Sequence, residues 1–194
     1  MLPQNVTTPA VTASAFTAPR DRVYDPMVSY HEGGNTLYAA APSRRLKVWK
    51  ADYAAGFIRV TPEDESLPPN NVVAATNVTS ISLAFDANMF PVLAYRENGT
   101  FKLRWYNAAV SDISITELVG VTAAQIAVDD LRPELIGRDD IILAYTKGGN
   151  LYWAMQRDRY TVEHLIGPVS GRVLQRVGMT AGMRLQFELV DPAA

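Results

Sequence analysis

Apolar residues alternate with polar ones in short runs along most of this chain, and the runs recur further along it. Shifted by 55 positions, Val28-Ser29-Tyr30 falls on Leu83-Ala84-Phe85, Leu37-Tyr38-Ala39 on Val92-Leu93-Ala94, and Leu46 and Val48 on Phe101 and Leu103. Ile58-Arg59-Val60-Thr61 falls on Ile113-Ser114-Ile115-Thr116 in the same shift, without a gap. A further shift of 50 brings Leu93-Ala94-Tyr95 onto Leu143-Ala144-Tyr145, Gly99 onto Gly149, and Phe101, Leu103 and Trp105 onto Leu151, Trp153 and Met155, with Thr161 to Ile166 closing the third copy. Alternation over a few residues, interrupted by Gly, Asn, Asp and Pro, is the pattern of half-buried strands joined by tight turns.

Each copy holds four such runs, the content of one small antiparallel sheet. The units are expected at about 26–62, 80–118 and 133–166, within a repeat region spanning 23–166. Asn98-Gly99 is the strongest hairpin signal, because a type I′ turn needs positive φ at both central positions. Glu63 to Asn71, acidic and then Pro68-Pro69, is read as a linker that cannot continue a sheet. Val121 to Leu131, with Ala123-Ala124-Gln125-Ile126-Ala127, is read as a loop plus a strand, one helical turn being the alternative. Residues 167–194 alternate around Thr180-Ala181-Gly182 and predict one more hairpin. Residues 1–22, rich in Thr, Ala, Pro and Val and uncharged before Arg20, predict an extended arm. An arm of that composition can order by pairing with a sheet edge on a neighbour, the alternatives being a merely disordered terminus or an extra strand of its own domain. The fold class expected is all-β: repeated four-stranded antiparallel blade-like units, as a propeller-like or open β-stack, with the N-terminal arm and a C-terminal β-hairpin.

Composition narrows the function classes. Apolar residues at 48% and charged residues at 20% in 194 residues suit a globular domain with a real core. A net charge of -2 gives no basic footprint for nucleic acid. The one basic cluster, Arg44-Arg45 with Lys47 and Lys50, sits on a strand and its preceding turn, where solvated side chains are the ordinary reading. There is no cysteine, hence no disulfide and no Cys-based zinc site. Met1 to Thr17 lacks a basic start and a continuous apolar core, so a signal peptide is not expected. No apolar run approaches the roughly 18 residues that span a bilayer.

The stretch Ser82-Leu83-Ala84-Phe85-Asp86, then Pro91-Val92-Leu93-Ala94-Tyr95, then Asn98-Gly99-Thr100-Phe101-Lys102-Leu103-Arg104-Trp105 resembles the blades of sialidase-like and other β-propellers. The resemblance covers about 26–166 and implies radially stacked sheets. The Ser-x-Asp-x-Gly-x-x-Trp box of sialidases is missing and the unit spacing is uneven, so glycosidase activity is not implied. Closed propellers have typically about four to eight blades. Three units therefore stay open, are completed by the terminal hairpin and arm, or close by oligomerisation. In overall character the chain is also similar to small virion proteins of tailed bacteriophages, which implies a structural role.

No chemistry competes with that reading. His31 and His164 fall in different units. Asp86, Glu97, Asp129-Asp130 and Asp139-Asp140 all fall at turns, where carboxylates cap backbone N–H groups. P-loop, Gly-x-Gly-x-x-Gly and Gly-x-Ser-x-Gly signatures are absent. Trp105 and Trp153 are in phase with the apolar face and read as packing, whereas Trp49 is out of phase with Leu46 and Val48. The candidate interaction residues are accordingly Trp49, Arg44 and Arg45. The expectation is a non-enzymatic structural protein, without cofactor or metal, in a phage virion assembled in the host cytoplasm. Its expected partners are copies of itself and other virion proteins, not nucleic acid or membrane. The alternative is a glycan- or receptor-binding module on a virion or cell surface.

Overall fold

The computed structural model describes residues 29–32, 36–41, 47–62, 68–86, 90–129, 140–179 and 185–191. They form fifteen strands in four separate antiparallel sheets, each a simple meander of sequential neighbours. The first sheet contains β1 (Ser29–Glu32), β2 (Thr36–Ala41), β3 (Lys47–Ala54), β4 (Phe57–Pro62) and β5 (Asn70–Ala74). The second contains β6 (Val78–Phe85), β7 (Pro91–Glu97), β8 (Thr100–Asn107) and β9 (Asp112–Glu117). The third contains β10 (Val121–Asp129), β11 (Asp140–Lys147), β12 (Asn150–Met155) and β13 (His164–Pro168), and the fourth only β14 (Val173–Met179) and β15 (Leu185–Val190).

The repeat is a repeat of strands. The offset of 55 carries β4 onto β9 from end to end, and the offset of 50 carries β7 and β8 onto β11 and β12. The turns obey the same rule. Asn98 and Gly99 have φ of 49° and 85°, and Gly148 and Gly149, at the matching place in the third sheet, have 57° and 77°. Both hairpins therefore have the positive φ pair of a type I′ turn, whose twist suits the strands it joins.

The units differ from the expected four-strand pattern in two places. The first sheet gains β5, whose Val73 pairs with Ile58 and is buried. Pro68-Pro69 ends only the connector, so Asn70 and Asn71 of the expected linker already belong to the sheet. The third sheet starts at Val121, because the alanine-rich stretch expected to be part loop is one strand throughout. The fourth sheet is a two-stranded antiparallel pair, in keeping with the hairpin expected at 167–194, and the described residues do not close a set of like blades.

The sheets pack face to face, and their first strands meet in succession: β1 with β6, β6 with β10, β10 with β14, and β14 with β1. In the second and third sheets the strands next to the first, β7 and β11, are buried on both faces, which is why they read as unbroken apolar runs rather than alternations. On β11, Ile141, Leu143 and Tyr145 point into the core shared with the first and second sheets, whereas Ile142 and Ala144 point into a second core with Leu174 and Val177 of β14. Each such Leu or Ile, fully removed from water, contributes roughly 1.5–3 kcal/mol. One polar contact crosses the larger core. The Ser82 hydroxyl on β6 accepts the Ile126 N–H of β10 at 2.9 Å, with Ser82 fully buried.

Candidate interaction surface

The outermost strands of the second and third sheets and the turns beside them carry most of the exposed large apolar side chains among the described residues. Among the described residues, β9 has a hydrogen-bonded neighbour on one side only, β8. Ile115 at its centre is 54% exposed, and Val110 and Val119 in the turns at either end are 63% and 74% exposed. On β13, Leu165 and Ile166 are also exposed, but that strand ends in Pro168, which has no N–H to offer a partner. The edge of β5 is blunted by Pro68 and Pro69 just before it. β9, with the sequence Asp-Ile-Ser-Ile-Thr-Glu, has no proline and strong β propensity. It is the open edge best suited to receive another strand.

A cleft of about 350 Å³ opens beside the end of β9, lined by Arg96, Phe101, Glu117, Val119, Val121 and neighbouring backbone. Its cation is held in place. The Arg96 guanidinium carbon lies 5.8 Å from the centre of the Phe101 ring, and its Nε donates to the Gly99 carbonyl at 3.1 Å. Behind it, Glu97 accepts from Lys102 Nζ at 2.6 Å and from the Thr76 backbone N–H at 2.7 Å. The Lys102 hydrogen bond, helped by Thr76, holds the Glu97 carboxyl below the usual range even though partial burial pushes the other way. The β7–β8 hairpin is thereby tied to the connector that leads from the first sheet into the second.

Comparison with known proteins finds no matching family model, no matching curated protein and no matching solved structure. The surface therefore has to be judged on its own geometry.

Of the residues singled out from sequence, Arg44 and Arg45 lie outside the described residues, as does the arm at 1–22. Trp49 is half-buried, its ring tilted at 60° against Phe85 of β6 with centroids 5.5 Å apart. It packs between the first and second sheets, at the margin of the larger core. Trp105 is buried with its ring edge against Tyr160, and Trp153 is half-buried and stacked on His164 at 4.2 Å. His31 and His164 belong to different sheets.

Carboxylates do converge at one end of the sheets, in a way the dipeptides hid. Asp129, the last residue of β10, is the cross-strand partner of Asp140, the first of β11, and both are buried. Burial pushes the Asp140 carboxyl up. The Arg157 backbone N–H and guanidinium oppose that shift, and the neighbouring charge of Asp129 adds to it. Asp86, after β6, accepts the Phe90 N–H at 2.9 Å and lies 3.4 Å from the Gln156 amide nitrogen. Tyr160 fills the space between, and its hydroxyl has no hydrogen-bond partner among the described residues. These groups pin the short 3-10 turn Gln156–Asp158 against the ends of two sheets. Among the described residues, no three His, Asp or Glu side chains are grouped so as to hold a metal ion.

Proposed function

We propose that this chain is a non-catalytic assembly protein, a propeller-like stack of small sheets that joins copies of itself and a larger particle through strand edges. The virion of a tailed phage is the particle that its sequence character favours. The observation that carries the reading is the unblocked β9 edge flanked by exposed Val110, Ile115 and Val119. Unpaired strand edges are commonly blunted by charge, proline or cover, and an unblunted one serves for pairing. Contacts between successive first strands support the blade-like arrangement, since they put those strands inside and the last strands, β5, β9 and β13, outside. Edge pairing on the outer rim leaves each subunit's core undisturbed.

The test is the native mass by light scattering over a hundredfold range of concentration, for the full chain and for the double variant Ile115→Lys, Val119→Lys. A defined oligomer that becomes a monomer with an unchanged circular dichroism spectrum is expected. A monomer at every concentration would defeat the proposal.

A second reading, a glycan-binding module, draws on Phe90, which is 37% exposed and stacked nearly parallel on Tyr106 at a ring separation of 4.2 Å. Saccharide titration followed by the fluorescence of adjacent Trp105 tests it, and a flat response across simple hexoses and sialic acid would remove it.

A further inference from the structure

The open edge of β9 has a definite hydrogen-bonding phase. The Leu118 N–H donates to the Phe101 carbonyl at 2.8 Å, and the register between β8 and β9 runs on from that pair without a bulge. Leu118 and Phe101 are therefore a hydrogen-bonded pair, and such pairs recur at every second residue of an antiparallel ladder. Asp112, Ser114 and Thr116 turn their backbone groups toward β8, whereas Ile113, Ile115 and Glu117 turn theirs outward. Asp112 agrees with that phase, since its carboxylate accepts the outward Ile113 N–H at 2.7 Å. Exposed apolar side chains are spread about evenly along the same edge, with Ile115 in the middle and Val110 and Val119 beyond either end.

We infer that the strand received by β9 is β9 of a second copy, antiparallel about a two-fold axis that sets Ile115 against the partner's Ile115. The inference rests on the assembly reading above and specifies its partner and register. Outward backbone groups meet only when odd-numbered residues face odd-numbered residues. That excludes the register in which Asp112 would oppose the partner's Glu117, carboxylate on carboxylate. Of the others, Ile115 on Ile115 also pairs Ile113 with the partner's Glu117, and Glu117 with the partner's Ile113. A shift either way leaves Ile113 or Glu117 facing a turn. The same register brings Val119 beside the partner's Val110 and makes the apolar strip continuous. It also matches charge. Arg96, Phe101 and Leu118 are successive cross-strand partners on one face of the second sheet, and the partner's Asp112 becomes the next in that row. The Arg96 guanidinium lies over the Phe101 ring, so about two strand spacings of about 4.8 Å separate it from the backbone of that aspartate. Opposite charges at that distance are within one Debye length, about 10 Å at 0.1 M salt. Once the Ile113 N–H donates across the interface, the Asp112 carboxylate is released to face the arginine.

Because the chain has no cysteine, single introduced thiols on the full-length protein test the register. Facing residues have Cα atoms about 5.5 Å apart in a hydrogen-bonded pair and about 4.5 Å apart in the alternate pair. Both distances fall in the disulfide range of about 4.4–6.8 Å. Under mild oxidation Ile115→Cys should run as a covalent dimer on a non-reducing gel. Ser114→Cys and Thr116→Cys, each alone, should link about tenfold more slowly or less. Their equimolar mixture should link as fast as Ile115→Cys, because each faces the other across the axis. Fast linking of Ser114→Cys or Thr116→Cys by itself would overturn the register. An unaltered chain that is oligomeric by light scattering, with Ile115→Cys that fails to link, would overturn this inference and leave the assembly reading standing. A monomeric unaltered chain would remove both.

Discussion

Replacing Ser82 by alanine removes one oxygen from the centre of the molecule and probes how the second and third sheets are joined. Ser82 on β6 is fully buried, and its hydroxyl accepts the Ile126 N–H of β10 at 2.9 Å, a contact between residues 44 apart in sequence. Both residues are buried, so water does not readily replace the lost acceptor. A buried donor that loses its partner costs about 1–3 kcal/mol, whereas the volume of a single oxygen adds little cavity. In a chain of this size each kcal/mol lowers the melting temperature by about 2–4 °C, so Ser82→Ala should melt about 2–12 °C lower. Urea denaturation measures the same loss as a shift in midpoint at constant slope. The control is Thr79→Ala, on the same strand but exposed, which should stay within about 0.5 kcal/mol. If the two substitutions cost the same, β6 and β10 do not meet as described, and the stacking of the second sheet on the third is wrong.

Leu143→Ala, at a site of 1% exposure on β11, should cost about 2–5 kcal/mol in the same urea experiment, far more than Val119→Ala on the rim. Gly99→Ala meets no atom within 4 Å, so its cost is that of holding a Cβ at φ +85°, about 1–2 kcal/mol, and Gly99→Asn should recover part of it. Glu97, held low by Lys102 and Thr76, stabilises the fold above the ordinary carboxyl value of 4.5, and that contribution disappears as pH falls through its depressed value. Glu163, held low by Tyr145 and then Lys147, acts in the same sense, so stability should fall below about pH 4.5, and Glu97→Gln should flatten that decline. Asp140 works oppositely: its raised value means that the ionised form is penalised in the fold, and acidification relieves the penalty. Asp140→Asn should therefore steepen the acid-side decline, as read from urea midpoints between pH 3 and 7.

Much of the strand order was legible because the repeat preserves it. The offset of 55 places β9 from β4, and Asn98-Gly99 announces a hairpin whose geometry two residues specify. β10 escaped for a physical reason. Ala123, Ala124, Ile126 and Ala127 are all buried because a first strand is covered on both sides, and small residues let its neighbours approach. That spacing also imitates a helical face, and alanine has little β propensity. β5 was hidden by its polar start, since only Val73 of its five residues is buried. The exposed edge was harder still. Ile113 and Ile115 look alike in sequence, yet on the same marginal strand Ile113 is half-buried and Ile115 is open. Asp129 and Asp140 were considered each with its sequence neighbour, whereas their real partnership crosses a ten-residue connector, 130–139.

The succession of meanders also sets an order of events. Pairing within each sheet joins strands that follow one another in sequence, so its loops are short and close quickly. The contact between β1 and β14 is different, since it brings Ser29–Glu32 to Val173–Met179 across nearly the whole chain. Closing that distance must come after the sheets between them have formed, and thermal motion will part it first. A seam of this kind is where one molecule, briefly open, can exchange its terminal sheet with another and reclose as an interlocked pair.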